Sequence, residues 1–162
     1  MKITDVKLRF AKHYLFVQVY TDAGIVGLGE AGNWGYLQAT AAAIEKFADY
    51  LIGKAPFRME DFNENFLRSV YFRGSVIMSA ISAIDIALWD IKGKALGVPV
   101  YELLGGKPRD KVRVYASVMH LTEDNQKLAE QFQQLQEMGF TAAKIFCNGP
   151  TSSTDGKGEF YS

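Results

Sequence analysis

The chain has 162 residues, 18 acidic and 18 basic side chains, and 48% hydrophobic residues. That is enough apolar material for one domain with a packed core and part of a second, while the zero formal net charge gives no electrostatic reason to expect nucleic acid or an anionic membrane as partner. The single cysteine, Cys147, excludes an intrachain disulfide and fits a reducing compartment; the start MKITDVKLRF lacks a signal-peptide core and no apolar run could span a bilayer, so a cytoplasmic location is expected.

Residues 2–32 read as a three-stranded antiparallel meander. Ile3, Val6, Leu8 and Phe10 begin it, and Leu15, Val17 and Val19 supply one face of the second strand. Thr21-Asp22-Ala23-Gly24 suits a tight turn, because aspartate and glycine stabilise or adopt the backbone it needs. The third strand passes through Ile25, Val26 and Leu28, and the glycines of GIVGLGE let it bend or pack closely.

Residues 36–52 predict a helix with Ala42, Ile44, Phe47 and Leu51 inward, ended by Gly53 and Pro56, and a second helix follows over about 59–70. A third, long helix follows Arg73. Its apolar residues Ile77, Ala80, Ile81, Ile84, Ala87, Leu88, Ile91 and Ala95 recur at the spacing of one helix face. Gly97 and Pro99 stop it, glycine by tolerating a left-handed cap and proline by breaking the hydrogen-bond ladder. Strands followed by segregated helices define an α+β domain, assigned to residues 1–109.

From Asp110 the logic changes. Val112, Val114 and Ala116 alternate as a strand over 111–118; a helix over about 123–138 and a strand over about 141–146 complete one βαβ unit in residues 110–146. Thr122 is the expected N-cap, Gly139 the expected residue after the helix, and Leu128, Phe132, Leu135 and Met138 the inward stripe. Residues 147–162 are rich in Gly, Ser and Thr and read as loop or disordered tail.

The phrase AIDIALWDIKGKALGVPVYELLGG resembles the cap-to-barrel junction of the enolase superfamily, mandelate racemase/muconate-lactonizing branch. The preceding YFRGS is most similar to that branch's galactonate dehydratase-like acid-sugar dehydratases. The resemblance implies an α+β cap domain followed by the start of a (β/α) TIM-type barrel, with the active site at the barrel mouth. A whole barrel needs about 250 residues, so the chain is expected to be the N-terminal portion of a larger, oligomeric enzyme. The implied activity is Mg²⁺-dependent abstraction of the proton next to a carboxylate of a small-molecule sugar acid, followed by loss of the β-hydroxyl. Three carboxylates on the third, fourth and fifth barrel strands hold the metal in the family, and those positions lie beyond Ser162.

The same resemblance nominates site residues. In FTAAKIF, Lys144 matches the first lysine of the family's Lys-x-Lys pattern, while Phe146 replaces the second, which acts as a base in racemases. This departure favours dehydration, and leaves Lys144 to bind or polarise the substrate carboxylate or to be an ordinary strand-end lysine. Arg73 could clamp a sugar acid bidentately, pair with a carboxylate of the cap, or pair across an oligomer interface. His13, Tyr14 and Trp34 lie in loops that in this family cover the barrel mouth, and His120 would emerge on the catalytic face; each could equally be a solvated loop residue. Asp85, Asp90 and Glu30 read as structural. The alternatives are a racemase or epimerase of the same branch and a non-catalytic cap-like interaction module; the 162 residues by themselves are expected to be inactive.

Overall fold

The computed structural model describes residues 1–68, 71–118 and 124–145. The chain divides into two compact units, Met1–Lys107 and Pro108–Ser162. The first opens with the expected meander. Strands β1 (Ile3–Ala11), β2 (Tyr14–Thr21) and β3 (Val26–Ala31) form an antiparallel sheet in the order β1-β2-β3. Leu15, Val17 and Val19 are buried on one face, while Phe16, Gln18 and Tyr20 alternate onto the other. At the β2–β3 turn, Gly24 adopts a φ of 76° and its N–H donates to the Thr21 carbonyl at 3.1 Å.

Helix α1 (Leu37–Leu51) packs on the sheet's inner face through Leu37, Thr40, Ala41, Ile44, Phe47 and Leu51. Ala42, expected inward, is exposed. It lies two residues from Ile44, about 200° around the helix, whereas Leu37, Thr40 and Ala41 continue the stripe through Ile44 at three- and four-residue steps. Beyond α1 the chain pairs with the start of β1: the Gly53 N–H donates to the Ile3 carbonyl at 2.8 Å and the Ile3 N–H to the Lys54 carbonyl at 2.9 Å. Helix α2 (Met59–Arg68) adds Phe62 and Phe66, and the Phe66 ring lies 4.9 Å from that of Phe62 and 4.2 Å from that of Phe47. The expected end of this helix at Val70 lies outside the described residues.

Helix α3 (Ser75–Leu96) is the centre of the unit, burying Ala80, Ile81, Ala83, Ile84, Ala87, Leu88 and Ile91. It presses directly onto the backbone of β3. A Cβ at Gly27 would stand 2.1 Å from the Ala87 carbonyl oxygen, and one at Gly29 would stand 1.9 Å from that of Ala83. The glycines of β3 therefore serve close packing. Leu28, between them, points outward and is half exposed. Asp90 and Lys94 finish the contact: the Leu28 N–H donates to Asp90 Oδ2 at 2.8 Å, Lys94 Nζ donates to the Val26 carbonyl at 2.7 Å, and the two side chains pair at 2.6 Å. Side chains of α3 thus satisfy backbone groups on the free edge of β3. Asp85 accepts from Asn63 Nδ2 of α2 at 3.1 Å. Both aspartates are structural, tying α3 to a strand and a helix rather than to turns.

Gly97, at φ 69°, ends α3 in a left-handed cap, and the Val98 N–H donates back to the Gly93 carbonyl at 3.0 Å. A short helix α4 (Val100–Leu103) follows.

The second unit holds β4 (Ala116–Ser117), α5 (Asn125–Glu137) and β5 (Ala143–Lys144). The strands are parallel, as expected of a βαβ unit, with Ala116 opposite Ala143 and Ser117 opposite Lys144. β4 is far shorter than the strand that alternation predicts over 111–118, and among the described residues β5 is shorter than the strand expected over about 141–146. Val112 and Val114 are 68% and 61% exposed, since alternation makes a strand only where a partner supplies hydrogen bonds and a surface to bury against. Asp124, not Thr122, caps α5, accepting the Gln126 N–H at 2.9 Å and the Lys127 N–H at 3.3 Å; Thr122 lies outside the described residues. Gly139 follows the helix at φ 91° as expected, but Met138 is exposed rather than inward, and Leu128, Phe132 and Leu135 are only half-buried. Cys147 and the tail lie outside the described residues.

Candidate functional site at one end of the sheet

An antiparallel meander carries its first turn and the C-terminal end of its third strand to the same end of the sheet. Here Ala11 faces Tyr14 across the β1–β2 turn, and Leu15 faces Ala31 at the end of β3. The turn is the pair Lys12-His13, and Lys12 has a φ of 52°, the only positive φ at a non-glycine among the described residues. A residue with a Cβ costs about 1–2 kcal/mol in that region. The strained turn presents His13 at the sheet's end.

The loop after β3 brings Trp34 to it. The His13 and Trp34 rings stack with centroids 6.0 Å apart and planes 24° from parallel. Trp34 is nevertheless 72% exposed, since the imidazole covers only part of the indole. Gly35, at φ 83°, permits a turn in which the Tyr36 N–H donates to the Asn33 carbonyl at 3.1 Å. Tyr14 opens β2 half exposed, its ring 6.2 Å from that of Phe16. Tyr36, which the sequence does not single out, is exposed beside Trp34.

Helix α3 adds a cation. It runs antiparallel to β3, because Gly27 meets Ala87 while Gly29 meets Ala83. Its N-terminus therefore lies toward the His13–Trp34 end, and Arg73 is exposed just before it. Tyr71 and Phe72 in the same segment are 100% and 89% exposed. Two adjacent uncovered aromatics are themselves an interaction signal, one that the aromatic pair of YFRGS carries in the sequence. Indole, imidazole, phenol and guanidinium thus share one end of the first unit. Aromatic faces of this kind exclude water, and the guanidinium can bind a carboxylate through two parallel N–H donors.

Of the remaining expected residues, Lys144 belongs to the second unit. It is exposed at the end of β5, and its carbonyl accepts the Val118 N–H at 3.0 Å. His120 lies outside the described residues. Glu30 is exposed opposite Phe16 on the sheet's outer face. A groove of about 540 Å³ between α5 and β5, lined by Phe132, Leu135, Phe140 and Ala143 among others, carries no charged wall residue. Among the described residues no group of three or more His, Cys, Asp or Glu side chains could hold a metal ion. The described residues therefore do not by themselves fit the Mg²⁺ that the resemblance implies. Among the described residues no helix is long and apolar enough to cross a membrane.

Residues 4–105 match the mandelate racemase/muconate lactonizing enzyme N-terminal domain. The chain belongs to that family, a branch of the enolase superfamily, and its meander with following helices is the family's N-terminal cap. Within the branch it is similar to dehydratases of sugar acids. It is 47% identical over 137 residues to the D-galactonate dehydratase of Variovorax paradoxus (strain S110), covering 80% of this chain and 36% of that relative. It is 43% identical over 147 residues to the D-galactonate dehydratase of Pectobacterium atrosepticum, covering 90% of this chain and 38% of that one. Among solved structures it resembles a member of the enolase superfamily from Salmonella Typhimurium at a TM-score of 0.81 and 33% identity, covering 89% of this chain and 41% of that chain. It also resembles an enolase from Pantoea ananatis with bound D-gluconate and Mg, at a TM-score of 0.77 and 38% identity, covering 88% of this chain and 35% of that chain. The chain spans less than two fifths of the length of these two curated relatives.

Proposed function

We propose that this chain is the N-terminal part of a Mg²⁺-dependent acid-sugar dehydratase acting on D-galactonate or a close relative. The observation that carries the proposal is the stack of His13 on Trp34 at the end of the cap sheet toward which α3 turns its N-terminus, in a chain 47% identical to a D-galactonate dehydratase over 137 residues. In the reaction a base takes the proton from the carbon beside the carboxylate. The electron pair moves toward the carboxylate and then expels the hydroxyl of the next carbon, which leaves as water after protonation. The resulting enol tautomerises to a 2-keto-3-deoxy acid.

This chain's residues act on the substrate rather than on the migrating proton. Trp34 and His13 cover the sugar acid and exclude water, which strengthens the electrostatic interactions beneath them. Tyr14 and Arg73 read hydroxyls and carboxylate from the cap side. Lys144, at the end of a barrel strand, polarises the substrate carboxylate. Phe146, where racemases of the branch carry a lysine base, supports dehydration over racemisation, because a phenyl ring cannot move a proton. The 162 residues alone are proposed to be inactive.

The test is a chimera. Residues 1–107 replace the equivalent segment of the Variovorax paradoxus relative, and 2-keto-3-deoxy acid formation with Mg²⁺ is measured across a panel of sugar acids. The expected result is a D-galactonate kcat/KM within about tenfold of the parent's, a loss below about 1.4 kcal/mol of transition-state binding. A folded chimera that ignores D-galactonate, or that prefers another acid, contradicts the assignment.

A further inference from the structure

The inward stripe of α1 contains one polar residue. Thr40 is completely buried among Leu37, Ala41, Ile44, Phe47 and Leu51, and a buried hydroxyl without partners would be costly there. Its hydroxyl has two partners, both in the loop that carries Trp34. Thr40 Oγ1 donates to the Tyr36 carbonyl at 3.1 Å and accepts from Asn33 Nδ2 at 3.3 Å.

A helical threonine commonly bonds the carbonyl four residues back, and that bond alone carries no message beyond the helix. The Asn33 bond is different, because it reaches out of the helix to the residue immediately before Trp34. The Tyr36 N–H closes the same turn onto the Asn33 carbonyl at 3.1 Å. Asn33 is therefore fixed at its side chain by a buried hydroxyl and at its carbonyl by the turn. Trp34 and Gly35 are suspended between these ties, with Gly35 in the left-handed region. A valine of the same shape would fill the core equally well and hold neither bond.

We propose that Thr40 is a positioning residue: through Asn33 it holds the Trp34 turn in the conformation that stacks the indole on His13. The consequence for substrate selection rests on the functional reading above, in which Trp34 covers the sugar acid. The positional claim does not depend on it.

The experiment reads the stack directly on the 162-residue chain. An indole stacked on an imidazole moves the imidazole C–H proton resonances upfield, so the His13 signals, assigned by their loss in His13→Ala, report the geometry. The shift is measured against Trp34→Ala, which removes the ring current altogether. Thr40→Val is expected to lose at least half of that difference, while Thr40→Ser, which keeps the hydroxyl, retains it. Asn33→Ala cuts the same bond from the loop side, without touching the core, and is expected to match Thr40→Val; it decides the matter if Thr40→Val fails to fold.

Several results overturn the proposal: an unstacked wild-type His13, a full shift in a folded Thr40→Val or in Asn33→Ala, or a Thr40→Ser variant that loses as much as the valine. If the shifts respond as stated while Trp34→Ala leaves D-galactonate turnover by the chimera unchanged, the positioning role stands and the substrate-covering reading fails.

Discussion

The two units of this chain reach order by different means. In Met1–Lys107 a helix lies against glycines of β3 so closely that no side chain fits between them, and its polar residues complete the strand's free edge. In Pro108–Ser162, by contrast, the only buried hydrophobic side chains among the described residues are Ala116 and Val118. Its helix is held by a local cap and a half-buried face. The first unit should accordingly fail through packing and the second through local hydrogen bonding. Stability is not uniform along such a chain, and a loosely packed region opens on its own at lower cost.

Five substitutions test that contrast. Ile84→Ala, at the fully buried centre of α3, is expected to destabilise the first unit by about 2–5 kcal/mol, the usual range for truncating a core side chain. Denaturant unfolding followed by circular dichroism measures it. Gly29→Ala comes next: the added methyl would strike the Ala83 carbonyl and force α3 off the sheet, costing about 3 kcal/mol. Gly32→Ala is its control, as nothing lies within 4 Å of a Cβ there; equal losses at the two glycines would mean that close packing is not the reason for Gly29.

In the second unit the effects should be smaller and local. Asp124→Ala removes the cap of α5 and should cost about 1 kcal/mol, visible as faster amide exchange in α5 while α3 keeps its protection. Val114→Ala should change stability by no more than about 0.5 kcal/mol, as at other exposed sites, because that side chain is 61% exposed. A loss comparable to that of Ile84→Ala would mean that residues 111–115 pack as the alternation suggests.

The same contrast explains what could be read from the amino-acid order. The long helix was legible because its apolar face repeats over 22 residues and ends in a glycine cap. The meander was legible because Leu15, Val17 and Val19 alternate between two turn signals. At Val112 and Val114 alternation misled, since strand length depends on a partner that local pattern does not describe. Ala42 misled because an alanine is apolar enough to sit on either side of a helix. For the site, His13, Tyr14, Trp34 and Arg73 could each be named from the sequence. The stack of His13 on Trp34 could not, since it follows from the sheet register and from a strained turn at Lys12, which lacks the usual glycine or asparagine. Thr40 carried no signal at all, as threonine in a helix is ordinary until its partner Asn33 is seen.

Whether this end of the sheet meets substrate is tested by the D-galactonate kcat/KM of the chimera carrying Trp34→Ala, beside the unsubstituted chimera. If the indole covers the substrate, kcat/KM falls by about tenfold or more, while unfolding is unchanged because Trp34 is 72% exposed. An unaltered kcat/KM in a folded variant would contradict the assignment of this end of the sheet to the active site.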